Sequence, residues 1–283
     1  MSTGTHTIEF PIRLKETAWD HVYYGTVFIW FEVGRTELSR AAGMPYGEVT
    51  KRGVGNFVVE AGARYHRAIP PTGLVRVEST LAQMSKVKFS FLYRIFVPGD
   101  IEPRVTGYTV HASADQEGKI ARLPDDFLAA FSPTGDEVAR STSRGPERID
   151  WTHELRVRYE ETDAFCVVYN GNYFAWMEAA WTMRLMGGPW DVADSMRDGR
   201  YFSVIAADCK YVSPLHFDDP VRIEAGVTPV GRTRVRIDYH MLNPETGLTV
   251  AYGSTTHAAH ERGKPIRVPD ELLSGLVDGV RGR

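Results

Sequence analysis

The segment "YEETDAFCVVYNGNYFAWMEAAW" (159–181) places a carboxylate beside the expected start of an apolar helix. Asp163 lies seven residues before Asn170, and Gly171 allows close backbone approach in the first turn. The first N–H groups of a helix have no intrahelical acceptor, so they favour an oxygen that gains negative charge. Asp163 could then act on a carbonyl as general base or nucleophile. Spacing alone favours a simpler interpretation, in which Asp163 caps a turn or the helix.

A degraded copy of this segment occurs earlier in the chain, and downstream segments repeat as well. The matching pairs are 28–38 with 174–185, 63–78 with 209–224, and 121–128 with 266–273. Self-similarity of this kind predicts two divergent copies of one unit. We expect a first unit at 1–131, a second at 151–283, and a polar linker with Pro and Gly at 132–150.

Each copy has the same predicted order: a short strand, a loop, one long helix, and four strand-like runs. The helices are expected at about 24–42 and 170–187, and the first strands at 8–14 and 152–159. The later runs are 56–65, 74–84, 87–97, 104–114, 201–211, 220–229, 232–242 and 248–258. Alternation and β-branched residues mark these runs as half-buried strands. This predicts an α+β fold with two tandem units, each a curled antiparallel sheet wrapped around one central helix, paired edge to edge as a pseudo-dimer.

The segment 159–181 also resembles the signature of the 4-hydroxybenzoyl-CoA thioesterase-like branch of the hotdog-fold acyl-CoA thioesterases. That signature reads Thr-Asp-x-x-Gly-Val-Val-Tyr-x-x-Asn-Tyr, followed by an aromatic and an acidic residue on the helix. The resemblance implies a tandem hotdog protein in which Asp163 is the catalytic carboxylate and the backbone N–H of Asn170 polarises the thioester carbonyl. It also implies that Tyr169 and Tyr173 line the helix entrance and that Asn172 matches the family asparagine.

The resemblance has departures in both copies. Cys166 stands where the family has glycine, so the loop could differ in shape or the pocket could be narrower. In the first copy, keeping His21 and Val22 in register puts Thr17 at the position of the catalytic Asp and Asp20 at the glycine position. Either this copy is inactive, or Asp20 has taken over through a shifted loop. We expect one working carboxylate, Asp163, with the first unit completing the pocket.

Several further residues are candidates for substrate binding. Cys166 could be a nucleophile near a helix N-terminus, but without an evident His partner we interpret it as a small packed residue. Glu178 could orient water or substrate; its counterpart Glu32 favours a structural role, as a buried acid bonded to backbone or to a Tyr. His21 is a possible acid/base group, and both His21 and Tyr24 are predicted to contact the substrate.

The composition of the chain limits which binding partners and cofactors are expected. The net charge of -3 gives no reason to expect nucleic acid or an anionic membrane surface as a partner, and neither is predicted. Two cysteines and the lack of a secretory signal predict a cytoplasmic protein. No Cys/His cluster suits zinc, so no metal and no redox cofactor are expected. The predicted substrate is an acyl-CoA or an acyl-carrier protein, and a homodimer of chains is the expected assembly.

Two other functions stay open at this stage. The fold also hosts dehydratases and hydratases that move a proton with a His and a carboxylate, for which His21 and Asp20 are the residues to examine. The degraded first copy and Cys166 also permit a non-hydrolytic protein that binds an acyl intermediate and directs its cyclisation.

Overall fold

A computed structural model describes residues 4–45, 47–48, 51–115, 118–188 and 190–278. The chain divides into two compact units, Met1–Ser141 and Thr142–Arg283. The division lies within the polar segment 132–150. Each unit is described below by itself.

The first unit has one long helix and one antiparallel sheet. Its elements are β1 (Thr5–Pro11), β2 (Thr17–Ala18), β3 (His21–Val22), α1 (Thr26–Ala41), β4 (Gly55–Tyr65), β5 (Leu74–Met84), β6 (Lys88–Phe96), β7 (Val105–Ala114) and α2 (Asp125–Ala130). The sheet order is β1-β5-β6-β7-β4. Strands β2 and β3 form a separate two-stranded ribbon.

The second unit repeats this arrangement. Its elements are β8 (Trp151–Arg156), α3 (Asn172–Leu185), α4 (Val192–Arg197), β9 (Arg200–Tyr211), β10 (Pro220–Val230), β11 (Arg234–Leu242), β12 (Thr249–Glu261), β13 (Lys264–Pro265) and α5 (Asp270–Asp278). The sheet order is β8-β10-β11-β12-β9, again antiparallel throughout. The order matches that of the first unit strand for strand. The predicted α+β fold is therefore confirmed.

The long helix of each unit supplies the centre of its core. Helix α1 buries Phe28, Trp30 and Phe31, and helix α3 buries Phe174 and Met177, each at 1% exposure or less. The apolar residues of the strands pack around these rings. Burial of apolar area of this kind is the main favourable term in folding. Bulges interrupt the pairing of both sheets, at Val58/Glu60 and at Thr256/His257 among others, and bulges bend strands.

The element boundaries differ from prediction at the point that matters for the site. The helices begin at Thr26 and Asn172, two residues later than expected. Strand β1 ends at Pro11 rather than Leu14 because a 3₁₀ turn, Leu14–Glu16, follows it. The prediction also missed α5, which packs against α3. The Arg184 guanidinium donates to the carbonyl oxygens of Leu276 and Val277 at 2.9 and 2.6 Å.

The predicted linker, 132–150, makes specific contacts with the folded part of each unit. In the first unit, the Arg140 guanidinium forms a two-point ion pair with the carboxylate of Glu60. In the second, the Ser143 hydroxyl donates to Asp208 at 2.7 Å, and the N–H of Val227 donates to the Asp150 carboxylate at 2.8 Å. A Cβ on Gly226 would come within 2.1 Å of the Arg148 carbonyl oxygen. The segment therefore lies directly against the sheets.

The same three buried polar side chains are joined by hydrogen bonds at equivalent positions of the two units. In the first unit, Tyr93, Thr109 and His111 are joined by hydrogen bonds of 2.8 Å each. In the second unit, Tyr239, Thr255 and His257 repeat these bonds at 3.0 and 2.8 Å. The three pairs share one sequence offset of 146 residues. Burial lowers the pKa of His257 to about 3, so this histidine is neutral in the folded protein.

Candidate active site

The loop that carries Asp163 is closed on itself by backbone pairing. The N–H of Asp163 donates to the carbonyl oxygen of Val167 at 2.9 Å, and Thr162 bridges Val168 in antiparallel register. The N–H of Tyr169 returns to the carbonyl oxygen of Glu161, also at 2.9 Å. Cross-strand partners lie about 5 Å apart, so this closure brings Asp163 back towards the start of α3.

A buried carboxylate holds this loop against the helix. Glu161 is 5% exposed. It accepts hydrogen bonds from the backbone N–H of Arg158 at 2.8 Å, from the Arg158 guanidinium at 3.0 Å, and from the indole of Trp176 at 2.8 Å. Because Trp176 belongs to α3, the carboxylate ties the approach to the loop to the helix itself.

We expect Glu161→Gln to lower the free energy of unfolding by about 2 kcal/mol. The amide would keep the shape but turn one acceptor into a donor that faces other donors, and charge-assisted bonds would be lost. Urea unfolding measures the effect. The neighbouring Glu160 is 66% exposed, so Glu160→Gln is the matched control and should change stability by less than about 0.5 kcal/mol. Equal effects of the two variants would contradict the role given to Glu161.

The first turn of α3 is shaped by Gly171. A Cβ at this position would come within 2.6 Å of the Tyr169 ring, so only glycine permits that ring to lie over the helix start. The Tyr211 hydroxyl donates to the backbone carbonyl oxygen of Asn170 at 2.8 Å. The side-chain amide of Asn172 donates to the carbonyl oxygen of Glu161 at 2.8 Å. Asn172 therefore contributes to the framework of the loop, beyond the substrate-binding role predicted for it.

Asn170 carries two donors at the helix start. Its backbone N–H has no acceptor in the described part of the chain. Its side-chain Nδ2 is buried and likewise has no hydrogen-bond partner within those described ranges. Buried donors are normally paired, so the buried Asn170 amide, beside a backbone N–H without an acceptor, is a candidate for binding an acceptor supplied from outside the chain.

Asp163 is exposed, and its Oδ1 accepts the backbone N–H of Phe165 at 2.8 Å. The carboxylate therefore caps a turn, as the simpler interpretation expected, and this bond also fixes its orientation. Cys166 follows in the same loop with φ of 60°. That is the left-handed conformation that glycine adopts most easily, which is compatible with the glycine that the resemblance expects at this position. Cys166 is exposed, so its interpretation as a small packed residue is wrong.

Two predicted residues of α3 lie deeper than the helix entrance. Tyr173 is 3% exposed and packs edge-on against Tyr211, and burial raises its pKa. Glu178 is half-buried, and burial raises its pKa to about 7. No hydrogen bond to its carboxylate is found among the described residues. The predicted bond from Glu178 to backbone or to a tyrosine is therefore absent, and that structural interpretation is wrong.

The first unit corrects the register assumed for the degraded copy. The Thr17 hydroxyl donates to the carbonyl oxygen of Leu14 at 2.7 Å, as the Thr162 hydroxyl does to Tyr159 at 2.9 Å. Thr17 is therefore the counterpart of Thr162, and Ala18, not Thr17, stands at the position of Asp163. The first loop has one residue fewer than the second, and an alignment fixed at His21 and Val22 could not show where the deletion lies.

Comparison with known proteins gives the family. A model described as the thioesterase-like superfamily matches residues 16–131, and one described as the thioesterase superfamily matches residues 165–250. A putative esterase of Aquifex aeolicus is 31% identical over 133 residues, which are 46% of this chain and 100% of that protein. The putative acyl-CoA thioesterase YneP of Bacillus subtilis is 29% identical over 115 residues, which are 40% of this chain and 83% of that protein.

Solved structures that cover nearly the whole chain give its fold. The 12:0-ACP thioesterase from Umbellularia californica matches with a TM-score of 0.75 and 14% identity, over 92% of this chain and 96% of that one. At this identity the likeness shows the fold alone. Taken with the family matches, it defines a tandem hotdog protein. The chain belongs to the thioesterase superfamily and is a thioester hydrolase.

Two kinds of feature are absent from the described ranges. No helix there is long and apolar enough to cross a membrane. Within the same ranges, no group of three or more His, Cys, Asp or Glu side chains could hold a metal ion.

Proposed function

We propose that the protein hydrolyses an acyl thioester carried on coenzyme A or on an acyl-carrier protein, with Asp163 as general base or nucleophile. The observation that carries this proposal is the pair of unpartnered donors on Asn170, at the start of the helix to which the Asp163 loop returns. A thioester carbonyl oxygen there would accept the Asn170 N–H, and the positive end of the helix dipole would stabilise it as it becomes an oxyanion.

The hydrolysis of the thioester then follows from the Asp163 carboxylate and the Asn170 N–H. Asp163 takes a proton from water as the water oxygen attacks the carbonyl carbon, or attacks that carbon itself to form a mixed anhydride that water opens. In both routes the C–S bond breaks and the thiol leaves. Tyr169 lies over the helix start, where it would contact the acyl group. The exposed Cys166 lies three residues after Asp163 and could contact the thiol carrier.

The names of the relatives support both carriers without choosing between them. One relative is named an acyl-CoA thioesterase, and the protein of similar fold is named an ACP thioesterase. Thiol release from short, long and aromatic acyl-CoAs, and from matched acyl-carrier proteins, should separate the two. We expect kcat/KM to favour one carrier at equal acyl chain. If no substrate of either panel releases thiol, the proposal fails.

Two further parts of the prediction are proposals of the same kind. Association of chains into a homodimer would show as twice the 31.8 kDa chain mass in light scattering. A cytoplasmic location would show by fractionation of cells that express the chain.

A further inference from the structure

The first unit keeps the framework of the candidate site although it lacks the catalytic carboxylate. Glu16 is 4% exposed and accepts the indole N–H of Trp30 at 3.0 Å, as Glu161 does in the second unit. The Tyr65 hydroxyl donates to the backbone carbonyl oxygen of Tyr24 at 2.9 Å. Helix α1 starts after Gly25 with the same local backbone conformation as α3. A unit that only filled space would not need this framework.

The loop of the first unit also carries an ionisable side chain, but on the strand opposite to the one that carries Asp163 in the second unit. In the ribbon of β2 and β3, Ala18 pairs with His21. In the second unit, the corresponding pair is Asp163 and Val167. One copy thus has a carboxylate facing an apolar residue, and the other has an apolar residue facing an imidazole. Directly opposite residues have Cβ atoms about 5 Å apart, so His21 can act in the first unit on the region that corresponds to the one beside Asp163 in the second unit.

His21 is oriented by its neighbour. Its Nδ1 lies 2.9 Å from the Asp20 carboxylate, and the side chains of His21 and Asp20 are 42% and 75% exposed. A carboxylate bonded to Nδ1 holds the proton on that nitrogen and leaves the Nε2 lone pair as the base. No partner of Nε2 is found in the part of the chain that the structure describes. This is the arrangement of an imidazole ready to take a proton.

An unusual aromatic residue lies in the same loop. Trp19 is 60% exposed and has φ of 58°. A bulky residue in the left-handed region is strained, and such strain concentrates at functional sites. Trp19 directly precedes Asp20 in the chain, and its exposed ring offers apolar surface of the kind that an acyl chain binds.

We propose that the first unit holds a second hydrolytic centre, in which His21 is the general base and Asp20 its positioning residue. The substrate class is again an acyl thioester, so this inference rests on the proposed function in that one respect. His21 Nε2 takes a proton from water as the water oxygen bonds to the carbonyl carbon. The C–S bond then breaks, and the departing thiolate receives that proton from the imidazolium. Water is the only co-reactant.

The test uses the full chain with the Asp163 centre disabled. In the Asp163→Asn background, we expect residual thiol release above the uncatalysed rate from at least one acyl-CoA of the panel. Adding His21→Gln should lower that residual kcat/KM at least about 100-fold, the loss typical of a general base. Adding His66→Gln, which removes an exposed histidine of the same unit, should change it less than about two-fold. Asp20→Asn should lower kcat about 10-fold and leave KM within about two-fold, because it acts only through the imidazole.

The outcomes separate this inference from the proposed function. If the Asp163→Asn variant shows no residual release, or if His21→Gln does not reduce it, the second centre is refuted while the Asp163 assignment stands. If Asp163→Asn keeps the wild-type rate, the Asp163 assignment fails, and a loss on His21→Gln then supports the second centre. If the background variant hydrates an enoyl-CoA, seen as loss of its ultraviolet absorbance, without releasing thiol, the hydrolytic chemistry assigned to His21 is wrong.

Discussion

Asp163→Asn is expected to lower kcat/KM for thiol release by at least about 100-fold, the range found when a positioned general base is removed. The amide keeps an oxygen that can accept the N–H of Phe165, so the turn that orients the side chain should survive. What is lost is the negative charge and the ability to take a proton or to attack a carbonyl. The measurement is thiol release from the best substrate of the panel, with a colorimetric thiol reagent.

A matched variant separates chemistry from general effects of removing a charge. Asp198 also lies in the second unit, is 64% exposed, and pairs with Arg200 at 3.0 Å. Asp198→Asn should leave the rate within about two-fold. Both variants should keep the urea midpoint of the wild type. If Asp163→Asn retains more than about one tenth of the rate when both it and its reference chain also carry His21→Gln, Asp163 only caps its turn, and the search for the base moves to other groups of the site.

The sequence predicted the architecture well because its signals are distributed over long stretches. Alternating strands and an apolar helix recur in both copies, and 209–224 follows 63–78 at the offset of 146 that the buried Tyr–Thr–His chains also share. Each local error averages out over such lengths. The prediction of the candidate site rests instead on one short segment, 159–181, and on the family that it resembles.

The details of the loops could not be predicted because single residues decide them. One deleted residue before Val22 moves the counterpart of Asp163 from Thr17 to Ala18, and only the hydrogen bond of the Thr17 hydroxyl shows where the deletion lies. Cys166 was expected to be packed because cysteine usually is, but its left-handed backbone belongs to an exposed turn. The hydrogen-bond partners of side chains could not be predicted from the sequence either, as Asn172 and Glu178 show.

Glu178→Gln is expected to stabilise the protein at high pH but not at low pH. Burial raises the pKa of Glu178 from its ordinary value of 4.5 to about 7. Between these values the folded state keeps a proton that the unfolded state has released, so ionisation of this group lowers the free energy of unfolding as pH rises. The loss is complete above about pH 7, and a shift of this size corresponds to about 3 kcal/mol. A glutamine has the same shape and never ionises, so the variant avoids this loss.

The measurable quantity is the difference in the free energy of unfolding between variant and wild type, from urea titrations at pH 4.5 and pH 8. Using the difference removes the contributions of other carboxylates, such as Glu16, whose pKa is lowered and whose effect has the opposite sign. We expect a difference near zero at the lower pH and about 3 kcal/mol in favour of Glu178→Gln at the higher one. Glu245→Gln, whose carboxylate is 68% exposed, is the control and should show little difference at either pH. A Glu178→Gln difference that does not change with pH would mean that Glu178 is ionised in the folded protein. Water that reaches the half-buried carboxylate would then be enough to keep its pKa near the ordinary value.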